Sequence, residues 1–192
     1  MSDEIVRKTC AFEICCRCKR ICCKDAKPPL TQKRQKIIKD YIEQQKTRIE
    51  KPFSHEQYSF PTVDKLGFCL FYDKKTGKCS VHPVKPETCR AGPVTFDINR
   101  QTGKIEWYLK NSDICALAEM LSKNYDMFRE HFKVAREEIL QLICELDAET
   151  LQAILKIEEP QTFKIGEDDL PREVMEKLGV RNFKSSFRQV NK

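Results

Sequence analysis

The chain is dominated by one short segment, Cys15-Cys16-Arg17-Cys18-Lys19-Arg20-Ile21-Cys22-Cys23, in which five of nine residues are cysteine. Hydrophobic packing does not explain so dense a run. Cys15 and Cys18 have the two-residue separation by which one turn delivers two thiolates to the same metal. Adjacent side chains diverge, so Cys22 and Cys23 suit two neighbouring metal centres, or one centre with a spare thiol beside it. The segment therefore predicts a metal site.

A second cysteine block follows with wider spacing. Cys69, Cys79 and Cys89 are separated by nine residues each, and Cys115 comes later. A hairpin could bring Cys69 and Cys79 together, and the following turn could return Cys89 to the same end. The eight candidate metal ligands are Cys15, Cys18, Cys22, Cys23, Cys69, Cys79, Cys89 and Cys115.

Eight thiolates make two four-cysteine sites, which suit two zinc ions or two [4Fe–4S] clusters. We favour iron–sulfur clusters, because a cluster distributes its ligands more widely than a single ion does. That property fits both the adjacent pair and the wide second block. Zinc is the alternative cofactor.

Length and composition narrow the setting. A chain of 192 residues can bury a core as one domain, or as one domain with an extension. It contains no run of about 20 apolar residues that would predict a membrane span. The N-terminus lacks the order of a secretory signal, so we predict a cytoplasmic protein. Eleven cysteines in a reducing compartment favour metal or redox chemistry over disulfides.

Charge is distributed unevenly along the chain. Residues 17–51 carry twelve Lys/Arg and four Asp/Glu, residues 137–177 carry four and twelve, and residues 181–192 carry four cations without an acid. A basic stretch can attract nucleic acid or an acidic protein. We favour cations that offset the negative charge of thiolates or lie on a solvated face, and consider nucleic acid an unlikely partner. The predicted partner is a protein, either a redox enzyme or an assembly complex.

Local patterns predict the secondary structure. Thr31 is a plausible N-cap for a helix that ends before Pro52. Two hairpins are predicted, over residues 68–82 and 94–109. An amphipathic pattern runs from 115 to 146, and helices are predicted at 148–157 and 171–178.

These patterns predict an α+β, mostly helical fold. Residues 1–115 would form a cysteine-rich metal-binding module with two small hairpins. Residues 116–192 would form a C-terminal helical extension with a basic tail. Trp107 and Cys144 are predicted to be core residues.

The first block, together with the string Cys79-Ser80-Val81-His82-Pro83-Val84-Lys85-Pro86-Glu87-Thr88-Cys89-Arg90, resembles the YkgJ-type cysteine-cluster proteins. That family is named for zinc or iron chelation. The resemblance covers roughly residues 10–120 and implies that the eight cysteines above are its metal ligands. One departure is Lys19, where the family commonly has glycine. Related patterns occur in a flagellin lysine methylase to which an iron–sulfur centre is ascribed.

The remaining signals concern the role of the site. Arg90 could donate to a cluster sulfur or to a carboxylate, and either contact would tune the site. The sequence has no nucleotide-binding glycine motif and no discernible catalytic pair or triad, so we assign no catalytic residues. The leading prediction is a metal-binding protein that acts in electron transfer, in cluster assembly or as an accessory subunit of a metalloenzyme. The alternative is a structural zinc module that mediates protein contacts.

Overall fold

The computed structural model describes residues 13–15, 22–159 and 161–180. The predictions that concern Cys18 and the basic tail at 181–192 lie outside these residues. The helices are α1 (Gln32–Gln44), α2 (Glu87–Ala91), α3 (Ala116–Lys123), α4 (Tyr125–Glu145), α5 (Ala148–Ile154) and α6 (Arg172–Leu178). The strands are β1 (Phe53–His55), β2 (Ser59–Pro61), β3 (Tyr72–Asp73), β4 (Lys78–Cys79), β5 (Val94–Asn99), β6 (Lys104–Lys110) and β7 (Thr162–Asp169).

Helix α1 begins where the sequence predicts. Thr31 is its N-cap, and the Thr31 hydroxyl accepts a hydrogen bond from the Arg34 backbone N–H at 3.0 Å. Ile38 and Ile42 on one face of the helix are buried. They form the smaller of two cores together with Leu30, Phe71 and Val81.

The largest sheet has three antiparallel strands in the order β5-β6-β7. The predicted hairpin of β5 and β6 is confirmed, and its turn is fastened by Asn99, whose side-chain oxygen accepts from the backbone N–H groups of Gln101 and Thr102. Strand β7 was not predicted. Its sequence is mostly polar and charged, and it is a strand because it pairs with β6 along its whole length.

The structure differs from the prediction of two hairpins in the length of the first hairpin and in a further pair of strands. The first, predicted over residues 68–82, is reduced to two residues per strand, because Phe68 pairs with Lys24 and Cys69 pairs with Val63 instead. Strands β1 and β2 form a further antiparallel pair that the sequence did not predict. The described residues before 115 therefore contain three antiparallel pairs.

The larger core lies between the sheet and α4. Trp107 on β6 is 1% exposed, which confirms its predicted core position. Its ring meets Phe132 of α4 edge to face at a centroid distance of 5.7 Å. The amphipathic pattern at 115–146 forms two helices, because Asn124 ends α3 and caps α4 by accepting from the Met127 backbone N–H.

The segment after residue 115 was predicted to be a helical extension, and β7 corrects this. Its pairing with β6 makes the three-stranded sheet from both halves of the chain. The division of the chain at residue 115 stays a prediction. In the described part of the chain, no helix combines the length and the apolar character needed to cross a membrane.

Candidate metal centre

The two cysteine blocks meet where the segment at 22–25 lies against the segment at 67–69. The Cys69 backbone N–H donates to the Cys23 carbonyl at 2.9 Å, and the Asp25 N–H donates to the Gly67 carbonyl at 2.8 Å. Backbone pairing therefore holds the end of the first block beside the start of the second.

Gly67 supplies the left-handed backbone conformation that this loop needs. Its φ is +83°, and a Cβ atom at this position would lie 2.0 Å from the Oδ1 atom of Asp25. Asp64 fixes the same loop, because its Oδ1 accepts from the backbone N–H groups of Leu66 and Phe68. The loop that places Cys69 beside Cys23 therefore requires glycine at position 67.

Substitution of Gly67 by alanine is expected to lower the free energy of unfolding by about 1 kcal/mol, because alanine must adopt a φ of +83° there. The atom that its Cβ would meet first is the carboxylate oxygen of the exposed Asp25 side chain, which can rotate away at little cost. Gly179→Ala is the matched comparison, since Gly179 has a φ of +66° and open space where a Cβ would stand, and it should cost about the same. Urea unfolding followed by circular dichroism measures both. A loss several times larger in Gly67→Ala would contradict this expectation, because it would show that the contact with Asp25 is rigid.

Short elements carry the rest of the second block. Cys79 pairs with Tyr72 across β3 and β4, and the Tyr72 N–H donates to the Cys69 carbonyl at 2.9 Å. Cys89 lies on α2, which follows a 3₁₀ turn at His82–Val84. Cys69, Cys79 and Cys89 are thus carried by successive short elements, a hairpin, a turn and a helix.

The thiols of Cys69, Cys79 and Cys89 resist ionisation. Burial raises the pKa of Cys69 to about 11 and that of Cys89 to about 12, and it also raises the pKa of Cys79. The charges of Cys22, Cys79 and Cys69 contribute to the shift at Cys89. These thiols are therefore close enough to influence one another.

Cys22 and Cys23 form a hydrogen-bonded pair with opposite shifts. The hydrogen bond from Cys23 lowers the pKa of Cys22 to about 6, and the charges of Lys110 and Lys85 act in the same direction. The same bond raises the pKa of Cys23. Neither lysine belongs to the basic stretch at 17–51, so cations from elsewhere in the chain also act on this thiol.

The chemistry of this donor set fits a thiolate-bound metal. Five free thiols from the two blocks lie near one another here, those of Cys22, Cys23, Cys69, Cys79 and Cys89. A metal cation would replace their protons, so metal binding should release protons. Within residues 13–15, 22–159 and 161–180, however, no three His, Cys, Asp or Glu side chains are already close enough together to hold an ion.

The other predicted ligands are not among these five thiols. Cys15 is exposed in the helical turn at residues 13–15, and Cys18 is outside the described residues. Cys115 is the N-cap residue of α3 and packs against the larger core. Cys144, predicted as a core residue, is half-buried against the same core.

Arg90 contacts a carboxylate, which is one of its two predicted roles. Its Nε atom lies 2.5 Å from Oε1 of Glu138 on α4, as an ion pair whose N–H is not aligned for a hydrogen bond. Its Nη1 group donates to the Pro83 carbonyl at 3.0 Å. Arg90 thereby joins α2, the preceding turn and α4.

A buried charged group next to Arg90 was not anticipated from the sequence. Glu87 is fully buried on α2, and its Oε1 accepts from the Thr31 hydroxyl at 2.8 Å. Arg34 lies 3.5 Å from the same oxygen through its Nε atom and 2.5 Å from Glu138 through its Nη2 atom. Burial raises the pKa of Glu87. One signal was available, because Arg34 falls on the apolar face of α1 with Ile38.

The fold and the site together define a class of protein, namely a small α+β scaffold that carries a thiol-rich site. A family model matches residues 14–127, and its description is "CxxCxxCC: Putative zinc- or iron-chelating domain". The chain belongs to this family, which is the YkgJ-type family that the sequence resembles. Searches of curated proteins and of solved structures gave no significant match.

Proposed function

We propose that this protein binds two [4Fe–4S] clusters through Cys15, Cys18, Cys22, Cys23, Cys69, Cys79, Cys89 and Cys115. The observation that carries the proposal is that backbone pairing of residues 22–25 with 67–69 places five thiols of the two blocks near one another. Five exceeds the four ligands of one tetrahedral zinc ion. Two neighbouring metal centres would use all five thiols. Membership in the family supports iron or zinc as the metal.

The proposed role is electron transfer, cluster assembly or service as an accessory subunit of a metalloenzyme, with a protein partner in the cytoplasm. The clusters would supply one-electron chemistry when bound. The chain's own contribution is to hold the thiols together and to shield them, since Cys69, Cys79 and Cys89 are only partly exposed. Lys85 and Lys110 would offset the negative charge of the thiolates.

Metal and acid-labile sulfide content of protein purified without oxygen tests this proposal. We expect about eight irons and eight sulfides per chain, which is the content of two cubane clusters. Visible and EPR spectra recorded on the same sample should show the broad absorbance of thiolate-bound iron and a signal on reduction. Stoichiometric zinc with no sulfide would overturn the iron–sulfur assignment.

The second candidate is a structural zinc module that mediates protein contacts. The naming of zinc in the family description favours it as the alternative. Under this proposal, removal of the metal by a chelator should unfold the segment that contains the two blocks, because metal binding and folding are coupled. Circular dichroism before and after chelation measures this, and an unchanged spectrum would count against a structural zinc.

A further inference from the structure

We propose that Glu138 on α4 is a positioning residue for the metal centre, holding α2 and the preceding turn in the arrangement that presents Cys79 and Cys89. The inference rests on the proposed metal-binding function. Glu138 lies outside the family-matched residues 14–127, so the family pattern does not point to it.

Glu138 is held in place by two arginines. Its side chain is 12% exposed, and its two carboxylate oxygens contact two different arginines. Oε2 accepts from Arg34 Nη2 at 2.5 Å, and Oε1 lies 2.5 Å from Arg90 Nε. A carboxylate so shielded from water, with one cation on each oxygen, has a fixed position.

Arg90 in turn links α2 to the turn that precedes it. Arg90 belongs to α2, one residue after Cys89, and donates to the Pro83 carbonyl in the turn that follows Cys79. The Arg90 side chain therefore fixes the helix that bears Cys89 relative to the turn after Cys79. Glu138 fixes Arg90 from the opposite side.

Helix α2 depends on such contacts for its position. A helix of five residues is too short to be stable by itself, so tertiary contacts decide its position. Besides the Arg90 contacts, α2 is anchored by Glu87, which accepts from Thr31, and by the Ala91 carbonyl, which accepts from His131 Nε2 at 2.9 Å. Glu138 is the residue that meets α1 through Arg34 and α2 through Arg90.

The test compares Glu138→Gln with Glu137→Gln. Glutamine keeps the size of the side chain but removes the charge that pairs with Arg34 and Arg90. Glu137 is an exposed carboxylate one residue earlier on the same helix, so it controls for the loss of a charge on α4. Glu138→Asp retains the charge and tests for partial rescue.

The measurement is titration of reduced, metal-free full-length protein with Co²⁺ alone, in competition with a chelator, followed by the charge-transfer absorbance of thiolate-bound cobalt. We expect Glu138→Gln to bind Co²⁺ about 10- to 100-fold more weakly than the parent protein. Glu137→Gln should bind as the parent does, and Glu138→Asp should fall between them. A change in the shape of the cobalt spectrum in Glu138→Gln would report altered thiolate geometry, which a general loss of stability does not produce.

Each result of the titration supports or overturns the positioning role of Glu138. Parent-like affinity and spectrum in Glu138→Gln would overturn the positioning role. Failure of the proposed function would appear separately, as parent protein that holds neither iron with sulfide nor zinc when it is purified without oxygen. If circular dichroism shows that Glu138→Gln is unfolded, Glu138→Asp decides, because a folded Asp variant with weakened Co²⁺ binding supports the role and one with parent affinity overturns it.

Discussion

Replacement of Cys89 by serine is expected to remove one of the two proposed clusters and to halve the iron and sulfide content. Cys89 lies near the other thiols of the second block and near Cys22, since the charges of Cys22, Cys79 and Cys69 all raise its pKa. A serine hydroxyl has nearly the same size but is a poor ligand for iron at neutral pH, because it does not ionise as a thiol does. Iron and sulfide analysis of anaerobically purified protein, with the visible spectrum, measures the loss.

Cys144→Ser is the matched control for this prediction. Cys144 is also a half-buried free cysteine, but it lies on α4 against the larger core. Its thiol donates there to the Glu173 carboxylate. Its replacement should leave the iron content at the parent value. Unchanged iron in Cys89→Ser, or equal losses in both variants, would refute the assignment of Cys89 as a ligand.

Replacement of Trp107 by alanine is expected to be the most destabilising change in the larger core, at about 3–5 kcal/mol. The ring is almost completely buried and contacts Phe132, and its Nε1–H donates to Asp168 at 2.6 Å. The substitution thus leaves a cavity between β6 and α4 and breaks a link to β7. Urea unfolding must be followed by circular dichroism, because Trp107 is the only tryptophan of the chain.

Trp107→Phe separates packing from hydrogen bonding in this prediction. Phenylalanine retains most of the aromatic volume but cannot donate to Asp168, which keeps its ion pair with Arg136 at 2.9 Å. We expect a loss of about 1–2 kcal/mol, from one hydrogen bond and a small volume change. A loss as large as that of Trp107→Ala would show that the indole N–H, rather than burial of the ring, dominates.

The elements predicted correctly are those with local signals. Helix α1 has a capping threonine and an apolar face, the hairpin of β5 and β6 has a turn sequence, and α6 ends at Gly179 with a φ of +66°. Strand β7 has no comparable signal, because its eight residues include four charged side chains and a glycine. Its conformation depends on pairing with a strand that lies about sixty residues earlier, which local patterns do not encode.

Cysteine spacing predicted which residues are candidates for the site, but not how the chain brings the two blocks together. Cysteine spacing pointed to the two blocks, and the hairpin expected to join Cys69 and Cys79 is present in shortened form. The contact between the blocks arises from backbone pairing of residues 22–25 with 67–69, which no spacing rule predicts. The buried arginine and glutamate pairs were missed, because charged residues in a helix are normally assigned to solvated faces.

The pairing of β7 with β6 also has a consequence for the order of events during synthesis. Cys22, Cys23, Cys69, Cys79 and Cys89 all leave the ribosome before β7 does, whereas the third strand of the sheet cannot form until residues 162–169 have emerged. Until then, β6 has an unpaired edge. These five thiols therefore emerge while β6 still lacks the neighbour that completes the sheet.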